Sequence, residues 1–344
     1  MKRLTITDIA EAAGVSTGAV SYALNGKPGV SQATRDKVVR IAADLGWRPS
    51  TAARALTRSR SGAIGLIVDR PAQVLGIEPF FMQLVSGIEM ALKNGFENDE
   101  STALMLQVTD DQRTEIQTYR NWWAERRVDG VIVVDLTEND ARVGVLEEIG
   151  LPAVALGFPQ EGSTMPCVWS DDGAPMREVV GYLAALGHTR IARVAGPAAL
   201  VHTVQRDLAF AEAAGQYALT GSTTVHTDYS GDGGARAARR LLSQRERPTA
   251  LVFDNDVMAL ASMAAAQEMG IIVPDQLSIV AWDDSALCRL VRPAVTAVNR
   301  DIPQHGVSAV AALEKLIRSE RVEHCQTPVA VLTPRASTGR APTV

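Results

Sequence analysis

The first residues of this chain repeat apolar side chains with the period of an α-helix. They recur at intervals of three and four residues, at Ile6, Ile9, Ala10 and Ala13. This spacing puts all of them on one face of a helix. Thr5 and Asp8 match a capping box in front of that helix, and Gly14 is a residue at which a helix ends. The pattern predicts a short first helix with one buried face.

Two further helices follow with the same pattern. Ser16 is placed to cap the second helix, and the apolar positions there are Val20, Ala23 and Leu24. Ser31 is placed to cap a third helix that ends near Gly46, and its apolar positions are Val38, Ile41, Ala42 and Leu45. Helices of this length are marginal in isolation. We therefore expect the three helices to share one small core.

The second helix carries a polar stripe opposite its apolar face. The stripe comprises Thr17, Gly18, Ser21, Tyr22 and Asn25. Two short helices with a third in support predict a helix-turn-helix, in which the polar stripe of the second helix meets base edges in the major groove. A three-helix protein-interaction module with a solvated polar face fits the same pattern.

From residue 62 onward, apolar runs of strand length alternate with helical patterns. The runs lie at 62–69, 102–108, 130–134, 152–156, 190–195, 249–253 and 277–282. The helical patterns lie at 79–95, 111–127, 138–149, 202–214 and 256–269. This alternation predicts two doubly wound parallel sheets, whose strands are apolar on both faces. Ligands bind at the carboxyl ends of such strands, where polar residues cluster in this chain. We therefore predict a cleft between two lobes.

Charge is divided unevenly along the chain. Residues 1–60 carry a net charge of +6 and the remainder carries −11. This asymmetry suggests that the N-terminal part meets a polyanion such as DNA.

Composition excludes several other classes of protein. The 46% of apolar residues and 21% of charged residues are typical of a globular protein. The charged N-terminus does not match a signal peptide and no apolar run is as long as a membrane span, so we expect a cytoplasmic protein with no membrane contact. The three cysteines and five histidines lack metal-ligand spacing, and no nucleophile–base pair is evident. We expect no metal, no other cofactor and no catalysis.

Several stretches resemble the LacI/GalR family of bacterial transcription regulators. They are TITDIAEAAGVSTGAVSYALN, VSQATRDKV, LGWRPSTAARALTRSRSGAIGLIV, AGPAALVHTVQRDLAF, FDNDVMAL, LSIVAWDDS and LTPRAST. The resemblance covers nearly the whole chain and implies a helix-turn-helix head at 1–48, a hinge at 49–61 and a periplasmic-binding-protein-like core at 62–344. Lobe one of this core is expected at about 62–160 plus 292–320, and lobe two at about 161–291 plus 321–340.

The hinge is where the resemblance implies a second kind of DNA contact. In that family this segment folds into a short helix on DNA, and a leucine from each subunit enters the minor groove; the matching leucine is Leu56. The local sequence agrees, since Pro49 interrupts the third helix and Ser50 can cap a short new one. The full set of expected DNA contacts is Thr5, Ser16, Thr17, Gly18, Ser21, Tyr22, Asn25, Ser31, Thr34, Ser50, Ala53, Arg54 and Leu56. Family members usually carry arginine at the position of Tyr22, so the operator sequence is left open.

The core resembles members of the family that hold a small effector. The chemistry of its polar residues suits a sugar, because guanidinium, amide and carboxylate groups pair with hydroxyls and an aromatic ring covers the apolar face of a pyranose. The expected effector contacts are Asp69, Phe80, Asp135, Trp169, Arg206, Tyr229, Asn255 and Asp283. Gly157 stands where some sugar-binding members have aspartate. For each polar residue, a helix cap or an interlobe salt bridge is the alternative role.

The sequence as a whole thus predicts a DNA-binding transcriptional regulator. We expect a repressor that binds a pseudo-palindromic double-stranded operator as a homodimer and responds to a carbohydrate. A nucleoside, a nucleobase or a phosphosugar is the alternative effector. A transporter's solute-binding protein would explain the core but would leave the basic head unused, and a two-lobed glycosyltransferase or sugar kinase would turn over a nucleotide.

Replacing Leu56 with alanine is expected to weaken operator binding at least about tenfold, because the side chain that wedges open a base step is removed. Binding to random DNA rests on phosphate contacts and should change less. Anisotropy titrations on both DNAs measure the difference, and equal losses on the two would contradict the wedge.

Overall fold

The computed structural model describes residues 4–47, 60–70, 75–93 and 102–343. The chain divides into two compact units, one ending at Ser61 and one beginning at Gly62. Within the described residues, no helix is both long enough and apolar enough to cross a membrane.

Three helices build the first unit: α1 (Ile6–Ala13), α2 (Thr17–Leu24) and α3 (Gln32–Asp44). The predicted caps are confirmed, since the side chains of Ser16 and Ser31 accept hydrogen bonds from backbone amides in the first turns of α2 and α3. Gly14 ends α1 in the left-handed region, at φ 63°. The shared core consists of Ile9, Ala10, Ala13, Val20, Ala23, Val38 and Ala42. Leu45 was wrongly predicted to be in this core; α3 ends at Asp44, and Leu45 at its C-cap is 40% exposed.

The second unit alternates strands and helices. In chain order the elements are β1 (Ala63–Asp69), α4 (Pro79–Lys93), β2 (Ala103–Thr109), α5 (Gln112–Ala124), β3 (Gly130–Val133), α6 (Ala141–Ile149), β4 (Ala153–Leu156), β5 (Cys167–Trp169), α7 (Gly173–Ala185), β6 (Arg190–Ala195), α8 (Val201–Gln216), β7 (Gly221–His226), α9 (Gly231–Leu242), β8 (Ala250–Phe253), α10 (Asp256–Glu268), β9 (Ser278–Trp282), α11 (Ala286–Leu290), β10 (Thr296–Asn299), α12 (Ile302–Ile317), β11 (Cys325–Gln326) and β12 (Val331–Thr333).

These strands form two six-stranded sheets, which confirms the predicted fold class. The first sheet has the order β11-β5-β4-β3-β1-β2, and all of its strands are parallel. The second has the order β12-β10-β9-β8-β6-β7 and is parallel except for β12, which runs antiparallel to β10. Each sheet has an apolar cluster on both faces. The first sheet with its helices is lobe one, and the second is lobe two.

The predicted assignment of segments to the two lobes was wrong in three places. Strand β5 lies in the expected range of lobe two but pairs with β4 of lobe one, and β11 then pairs with β5. Strand β10 lies in the expected range of lobe one but pairs with β9 of lobe two. These strands have only two to four residues, so their pairing is determined by the sheet edges available rather than by a pattern of their own. The chain therefore crosses between lobes at 170–172, 300–301 and 327–330.

The expectation that all strands are apolar on both faces was wrong for β2. This strand lies at the edge of the first sheet, and its side chains alternate between packing and exposure. Leu106 and Val108 are exposed, at 47% and 39%. An edge strand has a neighbour on one side only, so fewer of its side chains are covered.

Helices α4 and α12 approach each other closely in lobe one because glycine stands at the contact. A methyl group built on Gly87 of α4 would lie 1.9 Å from the backbone oxygen of Pro303 in α12. A methyl group on Gly306 of α12 would lie 2.7 Å from the backbone oxygen of Leu84. The helices can therefore pack at this distance only without side chains at these two positions.

Replacing Gly87 with alanine is expected to lower the free energy of unfolding by about 1–3 kcal/mol, because the added methyl group forces the two helices apart. Urea unfolding measures this change. Gly144→Ala in α6 serves as the control, because a methyl group on Gly144 would meet no atom within 4 Å. The control should be neutral or stabilising by up to ~1 kcal/mol, and an equal loss in both variants would contradict the packing argument.

Candidate functional site

The first unit presents the exposed side of α2. Thr17, Gly18, Tyr22 and Asn25 are exposed, and Ser21 is half-buried. A methyl group on Gly18 would meet only the Ser16 hydroxyl, 3.9 Å away. The structure thus brings the predicted polar stripe together on one accessible face of a helix, as a major-groove contact requires. Their role in DNA binding stays a prediction.

The remaining predicted DNA contacts of this unit lie at helix ends. The Thr5 hydroxyl and backbone amide both donate to the Asp8 carboxylate at 2.6 Å, and Ser31 shares a 2.9 Å hydrogen bond with Thr34. Helix N-termini are favourable for phosphate oxygens because their amides point outward. Ser50, Ala53, Arg54 and Leu56 of the hinge lie outside the described residues.

Arg35 holds the turn after α2, a role that the sequence analysis missed. Its guanidinium donates to the backbone oxygens of Tyr22, Ala23 and Lys27, at 3.3, 2.9 and 2.8 Å. The Tyr22 oxygen also accepts from the Lys27 amide at 3.0 Å, and the guanidinium brings a cation from α3 to the carbonyl end of α2. The contact fixes α2, and with it the polar stripe, relative to α3.

The second unit has a cleft between its two lobes. The cavity volume there is about 80 Å³, enough for several water molecules. It is lined by strand ends of both sheets and by the segments that cross between the lobes. Charged lining residues are Arg70, Glu78, Asp135, Asp172, Arg206, Asp254, Asp283 and Arg300; aromatic ones are Phe80, Phe81, Phe158, Trp169 and Tyr229. His202 and His305 also contribute.

Six of the eight predicted effector residues line this cleft. They are Phe80, Asp135, Trp169, Arg206, Tyr229 and Asp283. Asp69 and Asn255 are not among the lining residues. Asp69 ends β1 and is half-buried. Asn255 is buried, and its side chain accepts a 2.8 Å hydrogen bond from the Met258 amide and donates a 3.0 Å bond to the Tyr229 carbonyl. Its position matches the alternative role of helix cap.

Three arginines of the cleft are paired with carboxylates. Arg70 lies 2.9 Å from Asp135. Arg300 lies 2.6 Å from Asp283, and its guanidinium stacks over the ring of Phe80 at 5.0 Å. The sequence analysis missed Arg70 and Arg300, although Arg70 directly follows β1 and Arg300 directly follows β10. That position was the signal by which both could have been found.

The third arginine, Arg206, belongs to a buried network of charges. It lies 3.2 Å from Asp172 and 3.8 Å from Asp254, and it stacks over the ring of Trp282 at 4.2 Å. Asp254 also accepts bonds of 2.9 and 2.6 Å from Arg193, a fully buried residue in the middle of β6. Arg193 further donates to Asp207. The network therefore connects the interior of the second sheet with the cleft.

The titration behaviour of this network follows from its pairing. Burial alone would raise the pKa of Asp254, but the guanidinium groups of Arg193 and Arg206 outweigh it and hold this pKa below its usual value. Burial alone would lower the pKa of Arg206, yet the carboxylates of Asp172 and Asp254 raise it. Both side chains are consequently charged at neutral pH, as a fixed pattern of donors and acceptors requires.

Tyr229 is held by contacts on several sides. Its hydroxyl lies 2.7 Å from Nε2 of His202, and the guanidinium of Arg70 from lobe one stacks over its ring at 5.0 Å. Burial and then the positive charge of Arg206 lower the pKa of His202 well below its ordinary value. The imidazole is therefore neutral, so one of its ring nitrogens donates a hydrogen bond and the other accepts one.

Three cleft residues have backbone conformations that side chains rarely adopt. Asp135, Tyr229 and Asp283 have φ values of 54°, 66° and 60°. Such conformations cost about 1–3 kcal/mol each and concentrate at binding sites. They follow the ends of β3, β7 and β9 respectively. The turn at each strand end directs the side chain into the cleft.

The lobes touch directly beside the cleft. The backbone amide of Val201, the first residue of α8, donates to the backbone oxygen of Leu136 at 2.8 Å. Thr137 and Leu200 form an isolated antiparallel bridge, and the Val201 side chain packs into an apolar cluster of lobe one. These contacts hold the two lobes together along one side of the cleft.

Metal chemistry has no visible basis in the described ranges. No group of three or more histidine, cysteine or carboxylate side chains is placed there to hold a metal ion. The candidate sites are thus an exposed polar helix face in one unit and a charged, aromatic cleft in the other.

Comparison with known proteins assigns both parts. Residues 5–50 match the bacterial regulatory proteins of the lacI family, and residues 180–338 match the periplasmic binding protein-like domain. The transcriptional regulator CelR of Thermobifida fusca is 31% identical over 329 residues, which cover 94% of each chain. The lac repressor dimer bound to operator and the anti-inducer ONPF is 26% identical, with a TM-score of 0.85 over 98% of this chain and 100% of that one. A CelR–cellobiose complex is 28% identical, with a TM-score of 0.72 over 97% and 100%.

Replacing Arg193 with methionine is expected to lower the free energy of unfolding by about 3–5 kcal/mol, because Asp254 and Asp207 lose their buried partner. Urea unfolding measures the loss. Arg177→Met is the control, because Arg177 pairs with Glu212 at 3.3 Å on the surface, where a pair contributes ~0–1 kcal/mol. Similar small losses of unfolding free energy in both variants would contradict the proposed contribution of the buried network to stability.

Proposed function

Because the chain belongs to the LacI family of bacterial transcriptional regulators, we propose that it is a repressor whose affinity for a pseudo-palindromic operator is controlled by a carbohydrate bound in the interlobe cleft. The single observation that carries the effector half of this proposal is the cleft itself. It combines paired charges, aromatic rings and strained strand ends in one place.

The DNA-binding half is supported by the exposed stripe on α2. Thr17 offers a methyl group and a hydroxyl, and Asn25 and Ser21 offer further polar groups to base edges. Tyr22 is 46% exposed, and one edge of its ring lies close to Gly29. Tyrosine can donate one hydrogen bond or stack, but it does not bind guanine with two parallel bonds as arginine does.

A carbohydrate suits the cleft better than the other small molecules considered. Two half-buried aromatic rings, Phe158 and Trp169, meet edge to face at 4.8 Å beside the charged residues. A pyranose has an apolar face for such rings and hydroxyls for the carboxylates and guanidinium groups. The structure of a CelR–cellobiose complex, which is 28% identical to this chain, shows a relative with a carbohydrate bound. A nucleobase or nucleoside would stack in a similar way and is the alternative effector.

Control of DNA binding then requires coupling between two sites. Effector binding changes the angle between the lobes, which alters the separation of the paired hinge segments 49–61 in the dimer. A coupling free energy of about 1–3 kcal/mol changes operator affinity about 5- to 150-fold. The lobes meet at contacts such as the bond between Val201 and Leu136, so a ligand that bridges them can shift their arrangement.

A homodimer is part of the proposal. Two recognition helices related by a two-fold axis bind two inverted half-sites. Apolar side chains on neighbouring elements of lobe one support a dimer contact: Met82 and Met90 on α4 and Leu106 and Val108 on β2 are exposed. Methionine and aliphatic side chains are typical of such buried contacts between subunits.

Selection of binding sites from random DNA by the full chain tests the DNA-binding half. An inverted repeat is expected, and a direct repeat or an unselected pool would contradict it. The selected site then serves as operator in titrations with sugars and nucleosides that raise the melting temperature of the protein. A ligand at 100 times its Kd stabilises by about 2.7 kcal/mol.

Arg206→Ala is expected to leave operator binding intact and to abolish its response to the ligand. The head and hinge are unchanged by this substitution, whereas the cleft loses the donors that Arg206 supplies. The loss of ligand affinity should be at least about 100-fold, or about 2.7 kcal/mol. In a repressor that is released by its effector, this variant represses permanently.

Operator affinity with and without ligand, for wild type and variant, is the measurement. Retained operator binding also shows that the variant is folded, and Arg177→Ala is a surface control. If the effector is a corepressor, the variant instead loses operator affinity in the presence of ligand. An unchanged ligand response would assign Arg206 a purely structural role.

A further inference from the structure

Glu78 is a cleft residue that the sequence analysis did not single out. It precedes α4 in lobe one and is 7% exposed. Its Oε2 atom has no hydrogen-bond partner among the described residues. A buried carboxylate oxygen without a partner is costly, so it calls for a physical explanation.

The other charges of the cleft do not neutralise Glu78. The guanidinium groups of Arg70, Arg206 and Arg300 lie 2.9, 3.2 and 2.6 Å from Asp135, Asp172 and Asp283. Among the described lining residues there are five carboxyl groups and three guanidinium groups. Arg193, behind the cleft, compensates Asp254, so Glu78 is the carboxyl group of this described set that is left without an ion-pair contact.

The surroundings of Glu78 come from both lobes. Arg70 after β1 and Asp135 after β3 face it from lobe one, and Asn255 and Asp283 face it from lobe two. Burial, reinforced by the two aspartates and opposed by Arg70 and by a hydrogen bond from the Asn255 side chain, raises the pKa of Glu78 to about 7. The group is thus a hydrogen-bond acceptor that can also carry a proton near neutral pH.

We propose that Glu78 restricts the cleft to hydroxylated or amine-bearing ligands without negative charge, by accepting a hydrogen bond from the ligand at Oε2. This inference rests on the proposed function, since it concerns the ligand of the same cleft. A hydroxyl group both donates and accepts, so it fits a cleft in which, among the described residues, Glu78 holds an unpartnered acceptor and Nε of Arg70 and Arg206 are unpartnered donors. A phosphate only accepts, and its charge is repelled by the carboxylate.

This assignment narrows the set of effectors. It favours free sugars and amino sugars and argues against phosphosugars and nucleotides. Neutral nucleobases remain compatible with Glu78, so the carbohydrate proposal and the present one fail independently.

The first experiment uses no ligand. A residue kept for binding is expected to destabilise the empty protein, so Glu78→Gln should raise the melting temperature at pH 8 by about 2–4 °C. The sign follows from the raised pKa: the folded protein binds the proton more tightly than the unfolded chain, so wild-type stability falls between about pH 4.5 and 7 as the carboxylate ionises. The variant lacks this loss and should gain nothing at pH 5.

Glu161→Gln is the control for this experiment, because Glu161 is an exposed carboxylate of the same lobe. It should change the melting temperature at neither pH. A lower melting temperature of Glu78→Gln at pH 8 would show that Glu78 is a structural residue and would overturn the inference.

The second experiment compares ligands by thermal shift. Two pairs differ only by a phosphate: glucose with glucose 6-phosphate, and adenosine with adenosine monophosphate. Cellobiose and glucosamine are tested in addition, without phosphorylated counterparts. Uncharged or amine-bearing members should bind wild type, and phosphorylated partners should bind at least about 100-fold more weakly. Glu78→Gln should weaken the neutral ligand about tenfold and reduce the discrimination against its phosphate.

The outcomes separate the two proposals. Preferential binding of a phosphorylated member overturns the role of Glu78 and leaves ligand control intact. Binding of adenosine alone supports Glu78 and contradicts the carbohydrate. Discrimination that is equal in wild type and Glu78→Gln overturns the inference, whatever the ligand.

Discussion

The second lobe depends on the carboxylate of Asp254, which lies between two arginines that have been withdrawn from water. Arg193 stands in the interior of a parallel sheet, where an unpaired guanidinium would cost several kcal/mol. Asp254 at the end of β8 and Asp207 on α8 compensate it. The same carboxylate faces Arg206, so the requirement that stabilises the sheet also fixes a donor of the cleft. Stability and binding geometry are coupled through one side chain, and a change in either affects the other.

The arginines of the cleft already form ion pairs with carboxylates of the protein. The contacts between the lobes beside the cleft are mainly backbone hydrogen bonds and the stacking of Arg70 on Tyr229 and of Arg300 on Phe80. A cleft of this kind recognises groups that exchange hydrogen bonds in both directions rather than net charge. Because the stacking contacts cross the cleft, a ligand that inserts between them acts on both lobes at once, which is the condition for a shift in their equilibrium.

Predictability differed between parts of the chain for physical reasons. The helix pattern and caps of the first unit are local, so Ser16, Ser31 and Gly14 could be read directly from the sequence. Long buried strands such as β1 were equally clear, and the segments after them gave Asp135, Arg206 and Asp283 of the cleft, whereas Phe80, Trp169 and Tyr229 came from the family resemblance. Strands β5 and β10 were assigned to the wrong lobe because they have only three and four residues, too few for a pattern of their own to show which sheet they join. Asn255 stood at the right strand end, but its amide was used on the helix that follows. Glu78 could not be found, because nothing local in the sequence distinguishes a carboxylate with an unpartnered oxygen from one that is fully paired.

The first unit shows why short helices suffice at the N-terminus. Four of its seven buried core residues are alanine, so the helices lie close together, and larger side chains such as Leu24, Ile41 and Trp47 pack partly buried around them. Polar contacts at helix ends add to this core: Ser16, Ser31, the pair Thr5 and Asp8, and Arg35 on three carbonyls. These contacts lie beside the exposed face of α2 for which we propose the DNA contact. Contacts at the helix ends hold α2 in place against α3, while the small core leaves the polar stripe of α2 exposed.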